Sequence, residues 1–384
     1  MSHPTRDHVA IVGAAESPYT RHPGAGTTTA GVLRDAVVRA LLDAGLEPGD
    51  VDGLGVASFT LGPDHAIDLA WRLGLNLRWI MQDTNGGASA GGMLQHAVRA
   101  VEAGDASVVV LVAGDAMDKT AHTRLVRAYN QATVDHLADL PMTGPNALFA
   151  MLTQRQMAAW QLDRKDYGDL VVAQRAWAGL NQGAVYRAPM TLEEYLEAPL
   201  VASPLGRFDC VPPVTGADAV VVAGEERATG RRARVLAVTT AYNADDQAGD
   251  GIRTAVAACA PAAWDRAGVA PADADVISVY DDYPAMVLSQ LVDLGVTNPG
   301  AIRAVVAEQI ATRRLPVNTS GGQLSAGQAG AGGGMHGLVE VVQQLRGRAF
   351  GRQVEARIGV VTGYGMVLYR HGSCGNVAVL EAVA

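Results

Sequence analysis

Apolar positions along the first 117 residues fall into short blocks that alternate between strand-like runs and helix-like stripes. His8–Val12 is a strand-like run that ends at Gly13. A helical stripe follows, with Leu33, Val37 and Leu41 at i, i+4 and i+8, Thr28 or Thr29 placed to cap it and Gly45 to stop it. Val51–Val56 predicts a second strand, Ala66–Leu73 a helix and Trp79–Gln82 a third strand. That strand enters a glycine-rich turn before the helix Ser89–Glu102. Val108–Val112 is continuously apolar, as strands buried on both faces are. The alternation predicts a mostly parallel sheet with helices on its faces.

The same order then recurs. Thr84-Asn-Gly-Gly-Ala-Ser-Ala-Gly-Gly-Met93 resembles the run that opens Thr319-Ser-Gly-Gly-Gln-Leu-Ser-Ala-Gly and continues to Gly334-Met335. Val112-Ala-Gly-Asp-Ala-Met117 is echoed by Val361-Thr-Gly-Tyr-Gly-Met366, and Asp52–Ser58 sits where Asp275–Asp281 sits. Three matches in one order, each offset by roughly 220 to 250 residues, point to an internal duplication. The reading gives a first half of residues 1–117 with 206–227, and a second half of residues 228–384. Between them lies a helix-rich insertion, 118–205, whose Asn146–Asn181 stretch either covers a site or makes a dimer contact.

Composition narrows the function by exclusion. A chain of 384 residues forms two domain-sized units rather than one. Its net charge of −9 argues against nucleic acid and anionic membranes as partners. Three scattered cysteines (Cys210, Cys259, Cys374), without a CxxC spacing, argue against a disulfide scaffold or zinc site, and the nine histidines show no ligand-like spacing. No signal peptide precedes His8–Gly13, and no apolar run reaches membrane-spanning length. The expectation is a cytoplasmic protein with no membrane span, no metal and no covalently bound cofactor.

Val9-Ala-Ile-Val-Gly-Ala-Ala-Glu-Ser-Pro18, Gly144-Pro-Asn-Ala-Leu-Phe149, Phe208-Asp-Cys-Val-Pro-Pro-Val-Thr-Gly-Ala-Asp-Ala219 and Pro316-Val-Asn-Thr-Ser-Gly-Gly-Gln-Leu-Ser325 occur in this order. With this layout the chain resembles the thiolase superfamily over essentially its whole length. It is most similar to the lipid-transfer or sterol-carrier-protein type. The resemblance implies an α/β thiolase fold: two duplicated βαβαβαββ halves in a layered α-β-α-β-α arrangement, and a homodimer. The family's catalytic parts are all changed. Its nucleophilic cysteine falls at Gly87, within Gly86-Gly87-Ala88-Ser89. Its Gly-His-Pro motif corresponds to Gly327-Gln328-Ala329, and its His-Asp-Cys-Phe segment to Tyr280-Asp281-Asp282-Tyr283. Its second cysteine falls near Thr362-Gly363-Tyr364-Gly365, read as a turn.

Acyl-cysteine transfer is therefore closed to this chain, but other thioester chemistry remains. Both glycine-rich turns lead into helix N-termini, which favour negative charge, and in a duplicated fold they converge on one pocket. Gly86, Gly87 and Gly365, with Asn318 and Gln328, are the candidate oxyanion and substrate contacts. A retro-aldol cleavage of a 3-hydroxyacyl-CoA needs only an oxyanion site and an acid/base. Tyr280, Tyr283 and Tyr364 stand at emptied positions, with Asp281, Asp282 and His336 nearby. The ordinary roles of these side chains are core packing for the tyrosines and capping or ion pairing for Asp281. Ser89 is the candidate replacement nucleophile, and helix capping is its ordinary role. Some members of the resembling subfamily are aldolases on side-chain 3-hydroxyacyl-CoA in steroid catabolism. They use tyrosines and work with a small zinc-ribbon/OB-fold partner. Two other readings stay open: a non-catalytic acyl-CoA-binding scaffold subunit, and an acyltransferase using Ser89.

Overall fold

Caps and stops set the first elements as the pattern predicts. The Thr28 side chain accepts from Gly31 N–H, and Gly45, at φ 71°, ends the helix in the left-handed region. The computed structural model describes residues 8–127, 131–136, 139, 144–244, 251–368 and 371–384. The first half runs β1 (Val9–Glu16), α1 (Thr29–Ala44), β2 (Gly53–Ala57), α2 (His65–Leu73), β3 (Trp79–Asp83), α3 (Ser89–Ala103) and β4 (Val108–Asp115). The insertion, part of which lies outside the described residues, contributes α4 (Lys119–Arg127), α5 (Gln131–His136), α6 (Pro145–Trp160), α7 (Arg164–Leu180) and α8 (Leu192–Glu197). A small hairpin, β5 (Leu200–Ala202) and β6 (Leu205–Gly206), precedes the return strand β7 (Gly216–Gly224). The second half runs β8 (Arg232–Tyr242), α9 (Val256–Ala267), β9 (Val276–Ser278), α10 (Pro284–Asp293) and α11 (Ile302–Val305). It ends with α12 (Gly322–Ala326), α13 (Gly333–Leu345), β10 (Ile358–Leu368) and β11 (His371–Val383).

The strand order carries the duplication. Nine strands lie as β3-β2-β4-β7-β1-β8-β11-β10-β9. Read outward from the β1·β8 contact, each side presents its half's first strand, then its last, then the penultimate, then the second. The third strand of the second half shrinks to one parallel bridge, Ile277 with Val317. The sheet is mixed rather than mostly parallel: β7 runs against β1 and β4, and β11 against β8 and β10. Parallel pairing is confined to β2 with β3 and β4, and to β9 with β10. The reason is connectivity, because β11 returns directly from β10 and so must be antiparallel to it.

Three apolar cores give the layers. α1 and α2 cover one face of the first-half strands with Leu33, Val37, Leu41 and Leu69. α3 and α13 lie between the halves, sharing Met93, Leu94, Met335 and Leu338. α9 and α10 cover the outer face of the second half with Cys259, Ala263, Leu288 and Leu291. The two glycine-rich turns open the two central helices, so the layering places both at the middle of the molecule.

Candidate active site

The first turn, Asn85–Ala88, is held from several sides. Asn85 N–H donates to Asp83 Oδ1 at 2.7 Å, and Asn376 Nδ2 donates to the Ala88 carbonyl at 2.7 Å. On the second turn, Ala331 N–H donates to Asp115 Oδ2 at 2.8 Å. The turns meet: a Cβ on Gly334 would overlap the Gly87 carbonyl oxygen. A Cβ on Gly87 would lie inside the Tyr280 ring and the Tyr364 carbonyl oxygen, while one on Gly333 would lie 3.0 Å from the same ring. Tyr280 thus fills the space of the missing residue-87 side chain, where the starts of α3 and α13 come together. Gly365 backs directly onto this turn, since a Cβ there would overlap the Asn85 carbonyl.

Three tyrosines form one buried group with Phe149, Leu152, Leu205 and Met286. The Tyr280 ring lies 6.2 Å from the Tyr364 ring, tilted by 40°, and its hydroxyl accepts from Gln328 Nε2 at 3.0 Å. Gln290 Nε2 donates to the Tyr280 carbonyl at 2.6 Å, fixing the segment between β9 and α10. The Tyr283 ring stacks on Phe149 of α6 at 4.1 Å, and its hydroxyl donates to Asn146 Oδ1 at 2.6 Å. Tyr364 is fully buried and lies within β10, not in the turn that its glycine neighbours suggested. Helix α6 of the insertion therefore covers the tyrosines. Its neighbour α7 braces the second turn: Gln174 Nε2 donates to Asp281 Oδ2 at 2.6 Å, and Asn181 Nδ2 to the Ser320 carbonyl at 2.9 Å.

Asp281 serves that turn as well. Its Oδ1 accepts from Gln323 N–H at 2.9 Å, at the start of α12. Burial pushes its carboxyl up to about 6 against these donors. Burial, then the Asp281 charge, pushes Asp282 well above the usual carboxylate range, and its Oδ1 has no partner among the described residues. Asn318, at φ 50°, spends Oδ1 on Val279 N–H at 2.9 Å, and its buried Nδ2 has no partner among the described residues. Its Oδ1 thus closes the strand end, and its Nδ2 donors are unspent among the described residues.

His336 is engaged elsewhere. Its Nδ1 lies 2.8 Å from Glu16 Oε1 and its Nε2 lies 2.8 Å from Ser320 Oγ. Tyr19 donates to Asp218 Oδ2 at 2.6 Å beside it. Burial opposes charge on the ring, but Glu16 and Asp218 outweigh it and raise His336 to about 9. Glu16, Tyr19 and Asp218 were missed by the sequence reading. Glu16 and Asp218 stand in two of the segments that carried the resemblance, which was the available signal.

Against this geometry, the likeness to known proteins is decisive. The chain is 32% identical to the 17-hydroxy-3-oxo-4-pregnene-20-carboxyl-CoA lyase of Mycobacterium tuberculosis, over 88% of this chain and 91% of that one. It is 29% identical to the steroid side-chain-cleaving aldolase of Thermomonospora curvata, over 88% and 90%. Residues 237–377 match the Thiolase C-terminal domain-like family. The chain belongs to the thiolase superfamily. The solved structure of the Ltp2-ChsH2(DUF35) aldolase superposes with a TM-score of 0.82 at 27% identity, covering 98% of each chain. Within the superfamily this chain is an enzyme of the carbon–carbon lyase kind, with a thiolase fold from which thiolase chemistry has been removed.

The three cysteines confirm the removal. Cys259 Sγ donates to the Gly375 carbonyl at 3.4 Å in the outer core, and burial pushes its thiol up to about 12. Burial likewise pushes Cys210 up to about 12. Cys374 is buried in β11 with Sγ 3.7 Å from Asn85 Oδ1, and burial pushes its thiol up to about 11. Burial thus disfavours the thiolate at all three, unlike an activated cysteine nucleophile. Ser89 is fully buried at the first position of α3, where Ala88 occupies the cap. Its Oγ has no partner among the described residues, hence neither a base nor a capping bond. Glu16, Asp218 and His336 place three ligand-type atoms within 4.8 Å of one another. Glu16 and Asp218 favour a proton on the His336 ring.

Proposed function

We propose that this enzyme cleaves a 3-hydroxyacyl-CoA by a retro-aldol reaction, releasing a ketone or aldehyde and a shorter acyl-CoA. The observation that carries the reading is the Tyr280 ring in the space of the lost side chain at residue 87, at the meeting of two helix N-termini. In a thiolase that point receives an acyl group; here it presents a phenol. The substrate hydroxyl gives up its proton, and the C2–C3 bond breaks. Its electron pair passes into the thioester as an enolate, and C2 is then protonated. Tyr280, oriented by Gln328 and packed beside Tyr364, handles the proton, and the positive ends of α3 and α13 favour the enolate. Phe149, Leu152, Leu205 and Met286 around the phenols suit an apolar, steroid-like acyl group.

The relative that carries the ChsH2(DUF35) name supports a partner subunit for this chain too, which in this reading is the zinc-ribbon/OB-fold protein. A homodimer forms across the edge strand β3, where Ile80 is exposed beside Ile67 and Trp71 of α2. A solution mass near twice 39.9 kDa tests it, and a monomer at micromolar concentration contradicts it. Three unpaired cysteines suit a reducing cytoplasm, and no helix among the described residues is long and apolar enough to cross a membrane. The chemistry is tested by Tyr280→Phe, assayed with the partner present on a 3-hydroxyacyl-CoA. Turnover falls about 10² to 10⁴-fold with the circular dichroism unchanged. Full rate in that variant removes Tyr280 from the mechanism.

A further inference from the structure

One buried acid at the site has no task in the scheme above. Asp282 lies between Tyr280 and Tyr283, in the segment that joins β9 to α10, and is only 9% exposed. The other buried carboxylates around the two glycine-rich turns are saturated. Asp281 takes Gln323 and Leu324 N–H with Gln174, and Asp115 takes Ser58, Phe59, Thr60 and Ala331. Asp282 Oδ1, by contrast, is buried with no hydrogen-bond partner among the described residues. As a carboxylate that oxygen would be unfavourable, because burial of the charge outweighs the help of the two nearby backbone N–H groups. As a carboxylic acid it carries a proton and lacks only an acceptor.

Its surroundings favour the acid. Asp281 lies on the same segment, and Tyr283 and Tyr280 lie on either side. Cys210, packed against the tyrosine group, is an un-ionised thiol. Burial and the Asp281 charge disfavour an anion at Asp282, against local help from the backbone N–H groups of Asp282 and Tyr283. Among the described residues no arginine, lysine or histidine offsets these effects. A carboxylic acid kept neutral in an apolar site beside a tyrosine is a known way to hold an enolate oxygen.

We propose that Asp282 is a further catalytic residue, whose carboxylic acid donates a hydrogen bond to the substrate's thioester oxygen as the C2–C3 bond breaks. The inference rests on the retro-aldol reading. The bond electrons move from C2–C3 toward that oxygen, the Asp282 proton stays on Asp282 throughout, and C2 is reprotonated by the proton that left the hydroxyl.

The alternative for Asp282 is a negative charge at the start of α10, which would stabilise the helix. Asp282→Asn keeps a hydrogen-bond donor and removes the acid, whereas Asp282→Leu removes the donor and keeps the volume. Both are measured with the partner subunit on a 3-hydroxyacyl-CoA, beside urea unfolding of each. The proposal predicts that Asp282→Asn keeps kcat within about tenfold and is at least as stable as the parent. Asp282→Leu loses about 10² to 10³-fold in kcat with little change in KM, as for other lost oxyanion donors. Equal kcat in parent and Leu variant overturns the role of Asp282 alone. So does an Asn variant as slow as the Leu variant, or one that is clearly destabilised. A parent chain without turnover overturns the retro-aldol reading and this inference with it.

Discussion

Adding a single methyl group at Gly87 tests how the site is built. The backbone there is not left-handed, so an alanine meets no conformational strain and the cost is contact alone. The new carbon would overlap Cε2 and Cζ of Tyr280 and the carbonyl oxygen of Tyr364. One of those neighbours is backbone inside a paired strand and cannot give way cheaply. Overpacking in a core costs about 1–3 kcal/mol, and two simultaneous overlaps place Gly87→Ala near the top, at about 3 kcal/mol. Truncating the ring instead, Tyr280→Ala, leaves a cavity and costs about 3–5 kcal/mol. In the double variant the ring is gone but the carbonyl remains, so the alanine then costs about 1–2 kcal/mol. Urea unfolding of the four proteins should therefore give a coupling of about 1–2 kcal/mol in the compensating direction. Strict additivity would refute the claim that Tyr280 occupies the residue-87 space. The assay has a second arm. Gly87→Ala must lose retro-aldol turnover along with Tyr280→Phe, because it dislodges the same phenol.

Two more outcomes follow from buried groups. His336 is raised from the ordinary 6.5 to about 9, so its stabilising contribution is complete below 6.5 and is lost as pH rises through 9. That shift corresponds to about 3 kcal/mol. The urea midpoint should drop between about pH 6 and pH 10, and His336→Gln should flatten that drop; an unchanged slope would contradict the Glu16–His336 pairing. Ser89→Ala removes a buried hydroxyl without a partner, so it should keep full turnover and gain up to about 1 kcal/mol in stability. A loss of turnover with an acylated Ser89 peptide in the parent would support acyl transfer instead.

The sequence made the repeated halves legible because glycine-rich turns and apolar strands are local signals. It made Gly87 legible as a position without a side chain, and Tyr280, Tyr364 and Gln328, all among its candidates, lie side by side. It did not show that the Tyr280 ring enters the vacated space, because that depends on how β9, β10 and α3 approach one another. Antiparallel β7 and β11 escaped for the same reason: strand direction follows connectivity, and their residues carry no mark of it. The partners of His336 were hidden because Glu16, Tyr19 and Asp218 all lie more than 100 positions away along the chain. Ser89 was read as a cap from residue type, yet Ala88 takes that position and leaves the hydroxyl buried.

The account as a whole rests on carbon–carbon cleavage that proceeds without any sulfur nucleophile. The most direct test is turnover of a 3-hydroxyacyl-CoA, with the partner subunit, by a chain in which Cys210, Cys259 and Cys374 are all alanine and circular dichroism reports the native fold. The account predicts that this cysteine-free enzyme releases ketone or aldehyde at a rate within a few-fold of the parent. A folded cysteine-free enzyme with no turnover, beside an active parent, would contradict it.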